Sequence, residues 1–441
     1  MRILLVNPPN SGRSIPEEKY GVTSIKQLFK GEPFGLEVIA GALPDHDLLI
    51  LDLKCEPEEA LWRTIADFRP EVIGFTAVTC AANTVLRYAR QIKAEWPAPV
   101  VVGGSHTVCD PSYYNRDEID YVVIGMGKKS FRELITALQA GDTGASIPGI
   151  AKTSPGAALS FVARNYCADD LMDHCPPRFD LVDRYRERYI LERLGMTMGF
   201  VMTAYGCTHA CSFCAMPAMS GGKYLSHSSA SVIRDMRLLG DIPIIRMVDA
   251  NTFGNPAHSA ELCRAIQEAG LKKRFIADVR ADTIVRHYDL LKEWKNAGLH
   301  AAVVGFEDLQ DQRIGDYNKQ CQARVIPQAI ELLHKLGLLI VGDFIVAPDY
   351  GEDDFTRLEQ FIVAQGIQVP MLSVLTPLPG TPLHRLMKER IVIHDLDFYT
   401  FTNAVVPTAL PEQIFYETFS ELIKRLHNRA PNSQTNGDFD S

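Results

Sequence analysis

No apolar run in the 441-residue sequence approaches the ~18 residues that would cross a bilayer. The amino-terminal Met1–Asn10 offers one arginine and a short strand-like apolar stretch, too little for the core of a secretion signal. Basic charge is in deficit: 45 Lys and Arg face 54 Asp and Glu, a net charge of −9. That deficit argues against broad electrostatic binding to nucleic acid or anionic membrane, though not against a local basic patch. Ten cysteines in a chain this long are too few for a disulfide scaffold. No Gly-x-Gly-x-x-Gly follows the first strand-like run, which argues against a nicotinamide or flavin dinucleotide. No short repeat is visible either. The rest of the composition, 46% apolar and 22% charged, is that of a globular protein of two or three domains. These features together predict a cytoplasmic protein without nucleic-acid partners.

Residues 1–141 alternate short apolar runs (Ile3–Val6, Leu48–Leu53, Val72–Val78, Val100–Val102, Tyr121–Ile124) with amphipathic stretches (Pro33–Leu43, Pro57–Phe68, Asn83–Trp96, Lys129–Leu138). Strands alternating with helices predict a parallel sheet covered on both faces, here an α/β flavodoxin-like doubly wound sheet. Residues 142–195, rich in Gly and Pro and then charged, read as a linker wrapping between domains. From Met198 the alternation resumes, with strands at Phe200–Tyr205, Ile244–Val248, Phe275–Val279, Ala301–Gly305, Leu339–Val346 and Met371–Leu375. Six such units over 196–395 predict a partial (β/α)6 barrel. A carboxyl-terminal segment, 396–441, holds one amphipathic helix, Glu412–Leu426, and then a polar tail from Ala430 that is expected to be disordered.

Seven cysteines are scattered, as small buried hydrophobes usually are; three fall together in Cys207-Thr208-His209-Ala210-Cys211-Ser212-Phe213-Cys214. The trio follows the first strand of the second domain, at the end of a β/α barrel where chemistry is placed. Three thiolates spaced C-x3-C-x2-C on one loop suit three irons of a 4Fe–4S cluster, leaving the fourth iron open to another ligand. A zinc site with His209 as fourth ligand is the alternative. Zinc usually draws its ligands from two separated knuckles, and a histidine between two ligands of one loop strains a tetrahedron.

The spacing resembles that of the radical S-adenosylmethionine (SAM) superfamily, whose partial barrel is the one the second domain predicts. The resemblance implies that the open iron chelates SAM, and that an electron from the cluster cleaves it to a 5′-deoxyadenosyl radical. It places Phe213 near the adenine. At the second strand's end Asp249-Ala250-Asn251 resembles the acidic variant of the methionine-binding motif, making Asp249 and Asn251 ligands of the SAM amino group. Arg280, Glu307 and Asp343, at or near the ends of strands three to five, are further candidates for holding SAM; a guanidinium in such a place pairs with a carboxylate. Leu375–Leu383 resembles the sixth-strand turn of the same relatives.

An open doubly wound sheet binds ligands beyond the carboxyl ends of its strands. There the first domain has Asn7-Pro8-Pro9-Asn10, Gly103-Gly104-Ser105-His106-Thr107 and Gly125-Met126-Gly127-Lys128, whose glycines admit a flat or bulky ligand closely. In front of a radical SAM domain, these loops resemble the cobalamin-binding domain of that superfamily's largest subgroup. The resemblance makes Asn7, Thr76, Thr79, Gly103, Gly104, Ser105, His106, Gly125 and Gly127 cobalamin contacts. Met126 and Lys128 depart from the more usual Gly-Glu-Gly-Glu turn, and no Asp-x-His-x-x-Gly supplies a histidine to cobalt. The cobalt's lower face is left to Thr76–Thr79 or to the Gly103–Thr107 loop.

Two such cofactors imply a methyltransferase acting on an unactivated sp3 carbon. The adenosyl radical takes the hydrogen, methylcobalamin gives the methyl group, and the protein positions the reactants and excludes water. The resemblance also implies reduced flavodoxin or ferredoxin as electron donor. Relatives of this two-domain type also close or contract rings or oxidise without transferring methyl, and a cobalamin or iron–sulfur sensor or electron carrier is the reading from another class. The aromatic stretch Phe398–Thr408 resembles the tails of relatives that methylate hopanoid lipids, and of others that methylate a protein side chain. Both acceptors therefore stand, with Tyr205 and Tyr399 as candidate catalytic groups and Tyr20 as a further acceptor-side candidate.

Overall fold

A computed structural model describes residues 1–23, 31–144, 146–191 and 196–429; the polar tail expected from Ala430 onward lies outside these residues. Two parallel sheets form its core. The first has strands β1 (Arg2–Asn7), β2 (Asp47–Asp52), β3 (Val72–Thr76), β4 (Val100–Gly103), β5 (Tyr121–Val123) and β6 (Ile150–Lys152), in the order β2-β1-β3-β4-β5-β6. All neighbours are parallel except the β5–β6 pair. This is the doubly wound order, with its reversal between β1 and β3, and β6 comes from the stretch that reads as linker. A short linker run thus closes the sheet edge after β5, where a bare edge would leave its hydrogen-bonding groups exposed.

The second sheet begins with β7 (Ile190–Leu191) and β8 (Met196–Val201). A two-stranded hairpin of β9 (Ala204–Gly206) and β10 (Tyr224–Ser226) follows, and then β11 (Ile244–Met247), β12 (Arg274–Asp278), β13 (Leu299–Glu307), β14 (Leu339–Val346) and β15 (Val369–Val374). From β8 to β15 the six main strands are parallel neighbours in chain order, the winding of an open half-barrel. The apparent strand Phe200–Tyr205 is split. Asp249, at the end of β11, accepts hydrogen bonds from Thr203 N (2.7 Å), Thr203 Oγ1 (2.6 Å) and Ala204 N (2.9 Å), turning the chain off the sheet after Val201.

The helices between strands start on local caps. Ser228, Asn255 and Thr381 each accept a backbone N–H of the following first turn, and Pro256 and Pro382 occupy first-turn positions where no donor is missed. The two sheets share one apolar core, in which Ile3 and Leu5 of β1 are continuous with Met198 and Phe200 of β8. The linker reinforces that contact: Tyr189 donates to Asp52 Oδ2 (3.0 Å), and Arg184 Nη2 to the Ile50 carbonyl (2.9 Å). The carboxyl-terminal segment folds back as well. Fully buried Asn403 accepts from Ile15 N (2.8 Å) and donates to the Arg13 and Phe398 carbonyls, while helix Glu412–Arg429 packs on helix Glu352–Ala364 and on helix Ile15–Tyr20. The carboxyl ends of both sheets consequently face one space.

Candidate active site

That space is a cavity of about 490 Å³. The first domain lines it with Asn7, Thr76, Val78, the Gly103-Gly104-Ser105 loop and the Gly125–Lys128 turn. The second lines it with Met202, Tyr205, Met216, Met219, His227 and Val248. The polar side chains on this wall are largely committed elsewhere. Asn7 donates to Asp52 (2.8 Å), Tyr205 to the Met219 carbonyl (3.0 Å), and Lys128 to the carbonyls of Leu171, Met172 and Cys175 (2.9–3.0 Å). What faces the interior is mostly methionine, aliphatic carbon and glycine backbone.

The glycine loops are shaped by close approaches. At Gly125 (φ 99°) a Cβ would fall 1.7 Å from the Tyr166 hydroxyl, which accepts from Met126 N (2.9 Å) and donates to the Ile124 carbonyl (3.1 Å). At Gly104 (φ 109°) it would fall 2.6 Å from the Ala77 carbonyl oxygen. Only glycine takes these conformations without strain. The result is a flat, side-chain-poor floor, which fits a broad planar group such as a corrin.

The cysteine loop sits at the second domain's end of this space. It is tied to the turn after β13, since Ser212 N donates to the Tyr317 carbonyl (2.8 Å) and Asn318 Nδ2 to the Ala210 carbonyl (2.8 Å). Leu383 N in turn donates to the Ser212 carbonyl (2.9 Å). Cys207, Cys211 and Cys214 are all half-buried. Burial pushes the Cys214 thiol up to about 11, and the neighbouring Cys211 and Cys207 add to the shift. Burial raises Cys211 too, opposed by the cations Lys319 and Arg280. Thiols that resist ionising alone, with two cations beside them, suit an iron cluster that replaces their protons. Among the described residues no three His, Cys, Asp or Glu side chains converge as a single-ion site. His209 instead hydrogen-bonds Thr208 Oγ1 (3.0 Å). Thiolates bound to separate irons of a cubane need no such convergence.

Around the loop lies a set of buried charges. Glu307 is ion-paired with Lys319, and Arg280 bonds Asp282 (2.9 Å) and the Lys319 carbonyl (2.6 Å). Burial works against the Lys319 ammonium, but Glu307 more than offsets it, holding the lysine above its ordinary range. Glu307 itself sits at φ 66°, where the β13–β14 register shifts, and a Cβ on Gly305 would lie 2.4 Å from its Oε1. Lys319 is carried in by a turn in which both neighbours, Asn318 (φ 51°) and Gln320 (φ 54°), are left-handed. Strain of this kind persists only where surrounding contacts enforce it. Deeper in, Arg246 pairs with Asp278, and burial lifts Asp343 to about 8 with Glu307 and Asp278 nearby. The Asn251 side-chain oxygen and the Thr252 hydroxyl are buried without a hydrogen-bond partner. An orphaned acceptor at the end of the second strand suits an ammonium donor, such as that of SAM.

Residues 22–135 match the B12 binding domain family, and residues 201–362 the radical SAM superfamily. The chain thus carries a B12-binding domain followed by a radical SAM domain. Hopanoid C-3 methylase of Methylococcus capsulatus is 27% identical over 90% of this chain and 76% of its own length. An uncharacterized methyltransferase of Pyrococcus horikoshii is 27% identical over 97% of this chain and 92% of its own. In fold, the chain is similar to the radical SAM methyltransferase TsrM of Kitasatospora setae, solved with cobalamin and a [4Fe-4S] cluster. That likeness has a TM-score of 0.67 at 20% identity, over 93% of this chain and 82% of that one.

Most residues expected to hold cobalamin line this cavity, whereas Phe213, Asp249, Asn251, Arg280, Glu307 and Asp343 lie outside its lining. The B12-binding domain brings Asn7, Thr76, Gly103, Gly104, Ser105, Gly125 and Gly127 to the cavity. It does not bring His106, which is fully buried between Tyr113 and Tyr114 (5.3 and 5.6 Å between ring centroids) with burial lowering its pKa to about 4. Thr79 is also turned away, in the short helix Thr79–Ala81, and Val78 faces the cavity in its place. In the radical SAM domain Phe213 packs edge-on against Tyr317 (5.6 Å). Asp249 is spent on Thr203 and Ala204, which leaves Asn251 as the free side chain of that pair. Tyr205 reaches the cavity. Tyr399 does not: it is buried and donates to the Ile393 carbonyl (3.2 Å), and Tyr20 donates to Glu412.

The structure adds groups that sequence reasoning missed. Tyr166 buttresses the Gly125 turn, Lys319 neutralises Glu307, and His227 lines the cavity with its Nδ1 on Asp173 (2.6 Å). Lys128 also finds its reason. Where the subgroup usually has an acidic residue, this lysine fastens the turn to three linker carbonyls. None of these partners is near in sequence, and no local pattern marks them.

Proposed function

We propose that the protein is a cobalamin-dependent radical SAM methyltransferase that methylates an unactivated sp3 carbon of an apolar, lipid-like acceptor. When bound, the cluster, SAM and cobalamin supply a hydrogen-abstracting radical and a transferable methyl group. The chain's own residues then have separable tasks. Cys207, Cys211 and Cys214 hold the cluster, with Arg280 and Lys319 offsetting its negative charge. Asn251 accepts from the SAM ammonium, and Phe213 stands by the adenine. The Gly103–Ser105 and Gly125–Gly127 loops would receive the corrin, with Thr76 and Val78 lining the same cavity.

The observation that carries the acceptor class is the lining of the shared cavity. On the radical SAM side it is Met202, Met216, Met219, Val248 and Ala250, with Tyr205 bonded to the Met219 carbonyl and His227 to Asp173; Glu32, Lys54 and Lys128 line the cavity from elsewhere in the chain. Such a wall pairs poorly with a charged side chain of a protein substrate and well with hydrocarbon. The similarity to a hopanoid methylase, over 90% of this chain, supports the same reading.

Anaerobically reconstituted protein, given SAM, a reductant and neutral lipid extract, should form 5′-deoxyadenosine and S-adenosylhomocysteine together, with a lipid heavier by one methylene unit. Deoxyadenosine without S-adenosylhomocysteine would instead indicate a ring-closing or oxidising enzyme. Methylation of a protein but of no lipid would refute the acceptor class.

A further inference from the structure

Leu386 and Val392 are the two most exposed large hydrophobic side chains among the described residues, at 80% and 61%. They lie six positions apart on one short segment, helix Pro382–Met387 and the turn after it. The segment's inner face is Leu383, Met387 and Ile391, spaced i, i+4, i+8, and it packs in the apolar cluster that also seats Phe213. Its outer face carries Arg385, Lys388 and Arg390, all exposed, against the single acid Glu389. Lys388 and Arg390 have no ion-pair partner among the described residues, and Arg385 donates to the Gly380 carbonyl (3.0 Å). The acids that follow are turned elsewhere: Asp397 bonds Asn83 (3.1 Å), and Asp395 lies near Asn83 and Arg13. In a chain of net charge −9 this is a local concentration of cations around two protruding aliphatics.

We infer that this segment is a docking surface for an anionic lipid bilayer. Aliphatic side chains flanked by unpaired cations match the acyl boundary and the charged headgroups of such a surface, and the net negative charge of the remainder orients the molecule with this segment toward it. The segment is also the outer cover of the cysteine loop, joined to it by the bond from Leu383 N to the Ser212 carbonyl. Docking here would bring the active site to the phase where an apolar acceptor resides. That purpose rests on the lipid-acceptor reading; the attachment itself does not.

The test is flotation of the full-length protein with vesicles of phosphatidylcholine alone, or of phosphatidylcholine mixed with phosphatidylglycerol. The protein should float with the mixed vesicles and much less with the neutral ones, and added salt should release it. The double variant Leu386→Glu/Val392→Glu should lower vesicle binding on the order of tenfold, and Lys388→Glu/Arg390→Glu should abolish the preference for anionic lipid. Both variants should still form 5′-deoxyadenosine from SAM in solution, so loss of docking is distinguishable from loss of the radical chemistry. Wild-type protein that ignores both vesicles would overturn the proposal. Variants that float as well as wild type would overturn it equally.

Discussion

The two sheets are built by the same alternation of strand and helix, yet they treat charge in opposite ways. At the carboxyl ends of the B12-binding domain's strands, glycine backbone and aliphatic carbon form most of the surface, and Asn7, Lys128 and Tyr166 are hydrogen-bonded internally. At the corresponding ends of the radical SAM domain, charges are buried: Glu307 with Lys319, Arg280 with Asp282, Arg246 with Asp278, and Asp343 close by. The first surface selects by shape, as suits a large and nearly neutral macrocycle. The second selects by charge, as suits a zwitterionic cofactor beside an anionic cluster. Desolvated ions are expensive to keep, so the paired set gathered around the cysteine loop marks where charged ligands are handled.

Breaking the charged side should cost the most. Lys319→Met leaves Glu307 unpaired in the interior, and urea unfolding should show a loss of about 3–5 kcal/mol. Adding Glu307→Gln should recover a large part of it; a single variant as stable as wild type would show that the pair carries no such burden. On the shape-selective side, Gly125→Ala drives a Cβ into the Tyr166 hydroxyl at a left-handed φ. We expect a loss of about 1–3 kcal/mol and weakened cobalamin retention by absorbance. Gly12→Ala, also left-handed but with open space around it, should keep its cobalamin.

A smaller effect sharpens the comparison at the seam between the domains. Glu37 is fully buried with neither carboxylate oxygen hydrogen-bonded, and burial raises its pKa well above the ordinary range. Burial also lifts Glu32, which pairs with Arg186 and accepts from Phe200 N, to about 7. A carboxyl that keeps its proton in the folded state but releases it when unfolded contributes stability at low pH. That contribution is lost as pH rises through the folded-state value. Thermal stability should therefore fall as pH climbs from about 5 to about 8. Glu37→Gln should flatten the fall, gaining about 1–2 kcal/mol at the upper end. Parallel profiles for variant and wild type would contradict this.

What the sequence made legible was local. Strands announced themselves as short apolar runs, the glycine loops by their place after β4 and β5, and the cysteine trio by its spacing. Residues whose meaning depends on a distant partner were not legible. Lys319 gains its role from Glu307 through two left-handed neighbours, and Tyr166 comes from what read as mere linker. His106 and Asp249 show the converse. Each is a residue type fit for a ligand, at a plausible loop or strand end. Each is used by the fold instead, His106 as a buried aromatic-like plate and Asp249 as the strut that bends the chain into the cysteine loop.

The account stands on the three cysteines holding an iron–sulfur cluster at the charged end of the shared cavity. Anaerobic reconstitution with iron and sulfide, followed by iron analysis and electron paramagnetic resonance of the reduced protein with and without SAM, tests it directly. We predict close to four irons per chain, a cluster signal that shifts when SAM is added, and the loss of both in the Cys207→Ala/Cys211→Ala/Cys214→Ala variant. A protein that binds zinc in place of iron, or a triple variant that keeps the SAM-sensitive signal, would contradict it.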